Sequence, residues 1–207
     1  MRAPSPIAAL ACAALAAAAV PAAAQSAITL YGGLRGGSGL QQSQPPNADI
    51  GMSSGFAGSV GIEWPANAAR PLQLLLSTQR TKLDLGGSGT PGSPNEMSLQ
   101  VSYLQLGGLN FFDGRVGAGP YVAGGLGATF LSPKLPGTSS VVRPSLNVGI
   151  GYQWPLGPTL SLRTELRGYV TLINSSGSIF CSGGCVVQIR GDAMTQAEGM
   201  VGLSFGF

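Results

Sequence analysis

Residues 145–172 read Ser-Leu-Asn-Val-Gly-Ile-Gly-Tyr-Gln-Trp-Pro-Leu-Gly-Pro-Thr-Leu-Ser-Leu-Arg-Thr-Glu-Leu-Arg-Gly-Tyr-Val-Thr-Leu. In the first half Leu146, Val148, Ile150, Tyr152 and Trp154 alternate with Ser145, Asn147, Gly149, Gly151 and Gln153. Pro155–Pro158 interrupts the run. Leu160, Leu162, Leu166, Val170 and Leu172 then alternate with Ser161, Arg163, Glu165, Arg167, Tyr169 and Thr171. A two-residue period with a Pro/Gly break is the pattern of two strands joined by a tight turn. One face is apolar and uncharged. The other is small, polar or charged.

The same alternation extends outward in both directions. Ile28, Leu30 and Leu34 oppose Thr29, Tyr31 and Arg35; Phe56, Val60, Ile62 and Trp64 oppose Ser59, Gly61 and Glu63. Leu72, Leu74 and Leu76 oppose Gln73, Ser77 and Gln79; Val116, Val122, Leu126 and Phe130 oppose Gly117, Gly119, Tyr121, Gly125 and Thr129. At the end, Val201, Leu203, Phe205 and Phe207 oppose Gln196, Glu198, Gly202, Ser204 and Gly206. Only 97–106 is irregular: Leu99, Val101 and Tyr103 share one phase and Leu104 and Leu106 the other, so a bulge is expected near Tyr103. The count is eight strands, an all-β chain. Connections alternate: 65–71, 107–114 and 155–158 are short, and 38–52, 82–96, 132–144 and 173–193 are long.

Composition agrees. Charged residues are 9% of the 207, with 33 Gly and 15 Pro, and mean hydropathy is +0.27. A soluble domain carries more surface charge, and a helical bundle tolerates far less Gly. A soluble ligand-binding barrel has its apolar face inside and its charges outside, the reverse of this pattern. The expectation is an eight-stranded antiparallel up-and-down transmembrane β-barrel, with short turns at one end and long loops at the other.

Residues 1–24 are set apart. Arg2 precedes a run from Ile7 to Val20 of mostly Ala, Leu and Val; Pro21 ends it, and Ala22–Ala24 gives a small-residue cleavage pattern before Gln25. A cleaved signal peptide (1–24) and a barrel domain (25–207) are expected. A membrane anchor is disfavoured by the short run, and a lipoprotein site at Cys12 by the apolar run continuing past it. Without Arg2 the chain has ten basic and eight acidic residues, unclustered, and nothing points to nucleic acid. Cys181 and Cys185 remain in an exported chain, where a local disulfide is a better reading than thiolate metal binding.

The chain as a whole resembles the small outer-membrane β-barrel proteins of Gram-negative bacteria, of the outer-membrane-protein-A and -X type. The ending Gly202-x-x-Phe205-x-Phe207 is similar to the C-terminal signal such proteins present to the barrel-assembly machinery, and Tyr103-Leu104-Gln105-Leu106 resembles a strand common among them. The resemblance implies export through the periplasm and residence in the outer membrane.

Six charges fall on the inward phase: Arg35, Glu63, Arg163, Glu165, Arg167 and Glu198. An eight-stranded barrel is only wide enough for side chains to fill, so these should pair. They form either a packed polar core or an ion path. Trp64, Tyr152 and Trp154 read as an interfacial aromatic girdle. Arg80 is outward and should emerge at the far edge of the membrane, against lipopolysaccharide phosphate or simply solvated at a loop base. With no His in the chain, no catalytic constellation stands out; no cofactor is expected. The readings that remain are a structural or surface-interaction barrel and, as the alternative, a narrow pore or small-molecule channel.

Overall fold

The structure is a computed structural model that describes residues 26–37, 40–41, 49–50, 52–67, 70–84, 96–112, 115–134, 139–173, 179–181, 185–187 and 193–207. The proposed leader, 1–24, lies outside them. The strands are β1 Ala27–Gly37, β2 Leu40–Gln41, β3 Asp49–Ile50, β4 Gly55–Asn67, β5 Arg70–Asp84, β6 Glu96–Phe111, β7 Gly119–Pro133, β8 Val141–Pro155, β9 Leu160–Leu172, β10 Ile179–Cys181, β11 Cys185–Val187 and β12 Ala193–Gly206. Eight of them close into one barrel in the order β1-β12-β9-β8-β7-β6-β5-β4, with β4 returning to β1. Every barrel ladder is antiparallel. The short ladders β2–β3 and β10–β11 stand apart from it.

The alternation is realised inside out. Val148 is 62% exposed and Leu166 57%, whereas Arg35 and Glu198 are both 0%. In water such a surface would be an extended apolar patch; around a barrel it is the band that meets lipid. Trp64 is half-buried near the β4–β5 turn, and Tyr152 and Trp154 are exposed near the β8–β9 turn with their rings 4.5 Å apart. Phe205 and Phe207, also exposed, end the chain at that same side.

Three details differ from the expectation. The β5–β6 and β6–β7 ladders run through Tyr103 without a register shift, so there is no bulge there. Leu99, Val101 and Tyr103 instead point inward and are buried, while Leu104 and Leu106 face out. The loop end of the interior is mixed, with Leu131, Ile173 and Met194 buried beside Gln79, Thr81 and Gln196, so an inward Leu breaks no physical rule. The second difference is Val116, which lies in the β6–β7 turn rather than a strand; Gly117 and Gly119 hold φ at 89° and 86°, a conformation that favours glycine. Third, the strands reach further than the alternation suggested, leaving connections at 85–95 and 134–140. The ladder does shift between Pro65 and Asn67, where Pro65 and Pro71 supply no N–H donors.

Candidate functional site

The inward positions build a polar column in three tiers. Nearest the short turns, Arg163 of β9 forms a forked ion pair with Glu63 of β4, its Nη2 2.7 Å from Oε2. Arg163 also donates from Nε to Gln153 Oε1 at 2.8 Å and from Nη1 to the Tyr31 hydroxyl at 3.2 Å. In the barrel order β1 and β12 separate β4 from β9, so this pair spans the lumen. Beside it, Thr29 donates to Ser204 at 2.9 Å across the β1–β12 seam.

The middle tier pairs Arg167 with Glu165, two residues apart on the same face of β9. Tyr121 donates to Glu165 Oε2 at 2.8 Å, and Arg167 Nη1 donates to Asn147 Oδ1 at 3.2 Å. Gln73 links the tiers: its Nε2 donates to Glu63 at 3.0 Å and its Oε1 accepts from Arg167 Nη2 at 3.0 Å. Asn147, Gln105 and Ser145 continue the chain of bonds at 3.1 and 2.7 Å.

The third tier closes the seam. Arg35 of β1 and Glu198 of β12 are register partners, and Arg35 Nε and Nη2 lie 3.1 and 2.7 Å from Glu198 Oε2. Nη2 also donates to Ser77, and the Tyr169 hydroxyl donates to Glu198 at 3.0 Å. The Arg35 guanidinium carbon sits 5.0 and 4.9 Å from the Tyr103 and Tyr169 ring centres, and those rings stack 4.3 Å apart. Aromatic faces thus take up part of a guanidinium that has lost its water.

The six charged residues are therefore brought together as three neutral pairs, each nearly inaccessible to solvent. Low dielectric makes such pairs costly to form and costlier to break. Each carboxylate is held by a guanidinium, which disfavours proton transfer as a role. Among the described residues no three His, Cys, Asp or Glu side chains group to hold a metal. At the turn end a cavity of about 180 Å³ opens beside Glu63, Arg115, Gln153, Arg163 and Ser204, room for water or a small ion.

The neutral partners were on the inward phase but nothing in the sequence singled them out. Gln73, Asn147, Tyr31, Tyr121 and Tyr169 look like any lumen residue until the closed barrel sets them against a charge. Tyrosines facing glycines were the one available signal. An added Cβ on Gly151 would lie 2.4 Å from the Tyr121 ring, and one on Gly202 would lie 2.5 Å from the Tyr31 ring. Gly202 therefore has a packing role of its own. Gly202→Ala should destabilise the barrel by about 1–3 kcal/mol through overpacking, measured by urea unfolding of refolded protein, even where assembly in cells is bypassed. Unchanged stability would contradict that packing role.

Cys181 and Cys185 are backbone partners in the β10–β11 ladder; their side chains, and so the expected disulfide, lie outside the described residues.

Comparison with solved structures places this geometry among outer-membrane barrels. Neisserial surface protein A matches with a TM-score of 0.59 at 15% identity, covering 89% of this chain and 99% of its own. A major outer membrane protein of Thermus thermophilus matches at 0.54 and 18% identity, covering 89% and 100%. The outer membrane protein OprG of Pseudomonas aeruginosa matches at 0.52 and 13%, covering 88% and 96%. No protein-family model and no curated protein sequence matches the chain.

Proposed function

We propose that this barrel resides in the bacterial outer membrane as a structural or surface-interaction protein, with its lumen closed by the three ion pairs. The fold it shares with small outer-membrane barrels supports the location. The observation that carries closure is the column of paired charges: the Arg163–Glu63 pair crosses the lumen, and Gln73 ties it to Arg167. In this reading, residues 1–24 direct export, Gly202, Phe205 and Phe207 engage the assembly machinery, and Trp64, Tyr152 and Trp154 hold the periplasmic interface. The long connections 38–54, 85–95, 134–140 and 174–192 join the strands at the cell-surface end and are the parts that meet lipopolysaccharide or other surface molecules. The three interior carboxylates are committed to guanidinium partners and the chain has no His, so the role is non-catalytic.

The location has a simple test. Protein folded in detergent should migrate differently on SDS gels before and after boiling, and tagged protein should fractionate with the outer membrane. Protease added to intact cells should cut only within the long segments 38–54, 85–95, 134–140 and 174–192 and spare the short turns. Recovery in the soluble periplasm, or cleavage at the short turns instead, would rule the arrangement out.

A further inference from the structure

We infer that the outward wall of β5–β7 at its loop end binds the phosphorylated headgroup of lipid A, the glycolipid of the outer leaflet. The inference rests on the outer-membrane reading above. Its starting point is an interruption in the apolar band. Outward positions of β8 are apolar from Val142 to Trp154 without a break. On β5 the apolar run stops at Leu76, and the next outward residues are Thr78, Arg80 and Lys82. On β6 it stops at Leu104, followed toward the loops by Ser102, Gln100 and Ser98; on β7, Ser132 and Lys134 follow Phe130.

These groups are neighbours. Arg80 pairs in register with Gln100, and Gln100 with Ser132. Thr78 and Ser102 share a hydrogen bond of 2.9 Å, and the Lys134 backbone N–H donates to the Ser98 carbonyl at 3.0 Å. The outward strand positions of β1, β4, β8, β9 and β12 carry no charged residue. The cations at the loop end of the wall are thus gathered in one sector. Among the described residues the side chains of Arg80 and Lys134 have no hydrogen-bond or ion-pair partner, whereas Lys82 is engaged. Asp84 and Glu96 are register partners at the strand ends, one outward position beyond Lys82 and Ser98.

An unpaired cation on the lipid-facing wall is tolerated near the interface, and there an anion from the lipid completes it. β5 and β7 are two strand spacings apart, about 10 Å. Long Arg and Lys side chains on that span suit two phosphates of one headgroup. Arg80 offers a planar fork that matches a phosphate bidentately. Ser98, Ser102, Gln100 and Thr78 offer hydroxyl and amide groups to the sugar between them.

Native mass spectrometry of the full folded barrel in detergent tests this with diphosphoryl lipid A, the same lipid stripped of phosphate, and inorganic pyrophosphate. The probes are applied to the wild type, Arg80→Gln with Lys134→Gln, and the turn-end control Arg70→Gln. Diphosphoryl lipid A should bind the wild type and the control alike and the double variant at least tenfold more weakly. The dephosphorylated lipid should bind all three weakly, and millimolar pyrophosphate should not displace the intact lipid. Equal binding by wild type and double variant overturns the site; so does equal loss in the control, which marks diffuse charge attraction. Displacement by pyrophosphate overturns the lipid as its ligand. The gel shift on boiling is read for each variant. A normal shift with equal binding sinks the site alone, whereas no shift in the wild type sinks the outer-membrane reading.

Discussion

Glu198→Gln is expected to lower the stability of the folded barrel by about 3–5 kcal/mol, the usual cost of leaving one member of a buried ion pair alone. Arg35 would keep Ser77 and the faces of Tyr103 and Tyr169, but no anion within the seam. Tyr169 would donate to a neutral amide instead of a carboxylate. Adding Arg35→Met removes the stranded charge, and the double variant should recover part of the loss. The coupling from the cycle should fall at about 0.5–3 kcal/mol, the range for residues in direct contact. Urea titration of refolded protein in detergent provides all four stabilities. A coupling near zero would mean that Arg35 and Glu198 are separately hydrated.

The second large effect belongs to the outer wall. Val148 and Leu166 lie on adjacent strands, β8 and β9, in the middle of the apolar band, and both are well exposed. Val148→Arg or Leu166→Arg places a guanidinium among acyl chains and should cost about 2–4 kcal/mol in a bilayer. The inward residue Thr171 shares a hydrogen bond with the Thr129 hydroxyl that a serine would keep, so Thr171→Ser should change stability far less. Folding titrations in lipid vesicles compare the two faces directly. Equal sensitivity of both would place the apolar band somewhere other than in lipid.

What the sequence disclosed and what it hid follow from the same rule of alternation. Between 145 and 172 every inward residue is small or polar, so phase and topology can be read directly. The rule fails at 97–106, where Leu99, Val101 and Tyr103 face inward because the loop end of the lumen mixes apolar side chains such as Leu131 and Met194 with Gln79, Thr81 and Gln196. Val116 keeps the strand phase but sits just before the turn glycines Gly117 and Gly119, a matter of backbone conformation rather than polarity. The Arg35–Glu198 contact could be foreseen from chain positions, since first and last strands must meet on closure. Arg163–Glu63 could not, because its 100-residue separation is bridged only across the closed lumen. The same holds for Gln73, whose two bonds to Glu63 and Arg167 join tiers contributed by three different strands.

Planar-bilayer recording of the refolded wild-type barrel tests the closed lumen most directly. With three neutral pairs packed into the interior and Arg163–Glu63 bonded across it, the wild type should insert without a sustained ohmic conductance. Glu198→Gln should then show, at most, brief openings that accompany its lower stability. A steady wild-type conductance, altered in size or ion selectivity by Glu198→Gln while stability stays unchanged, would contradict closure and assign the interior charges to an open pore.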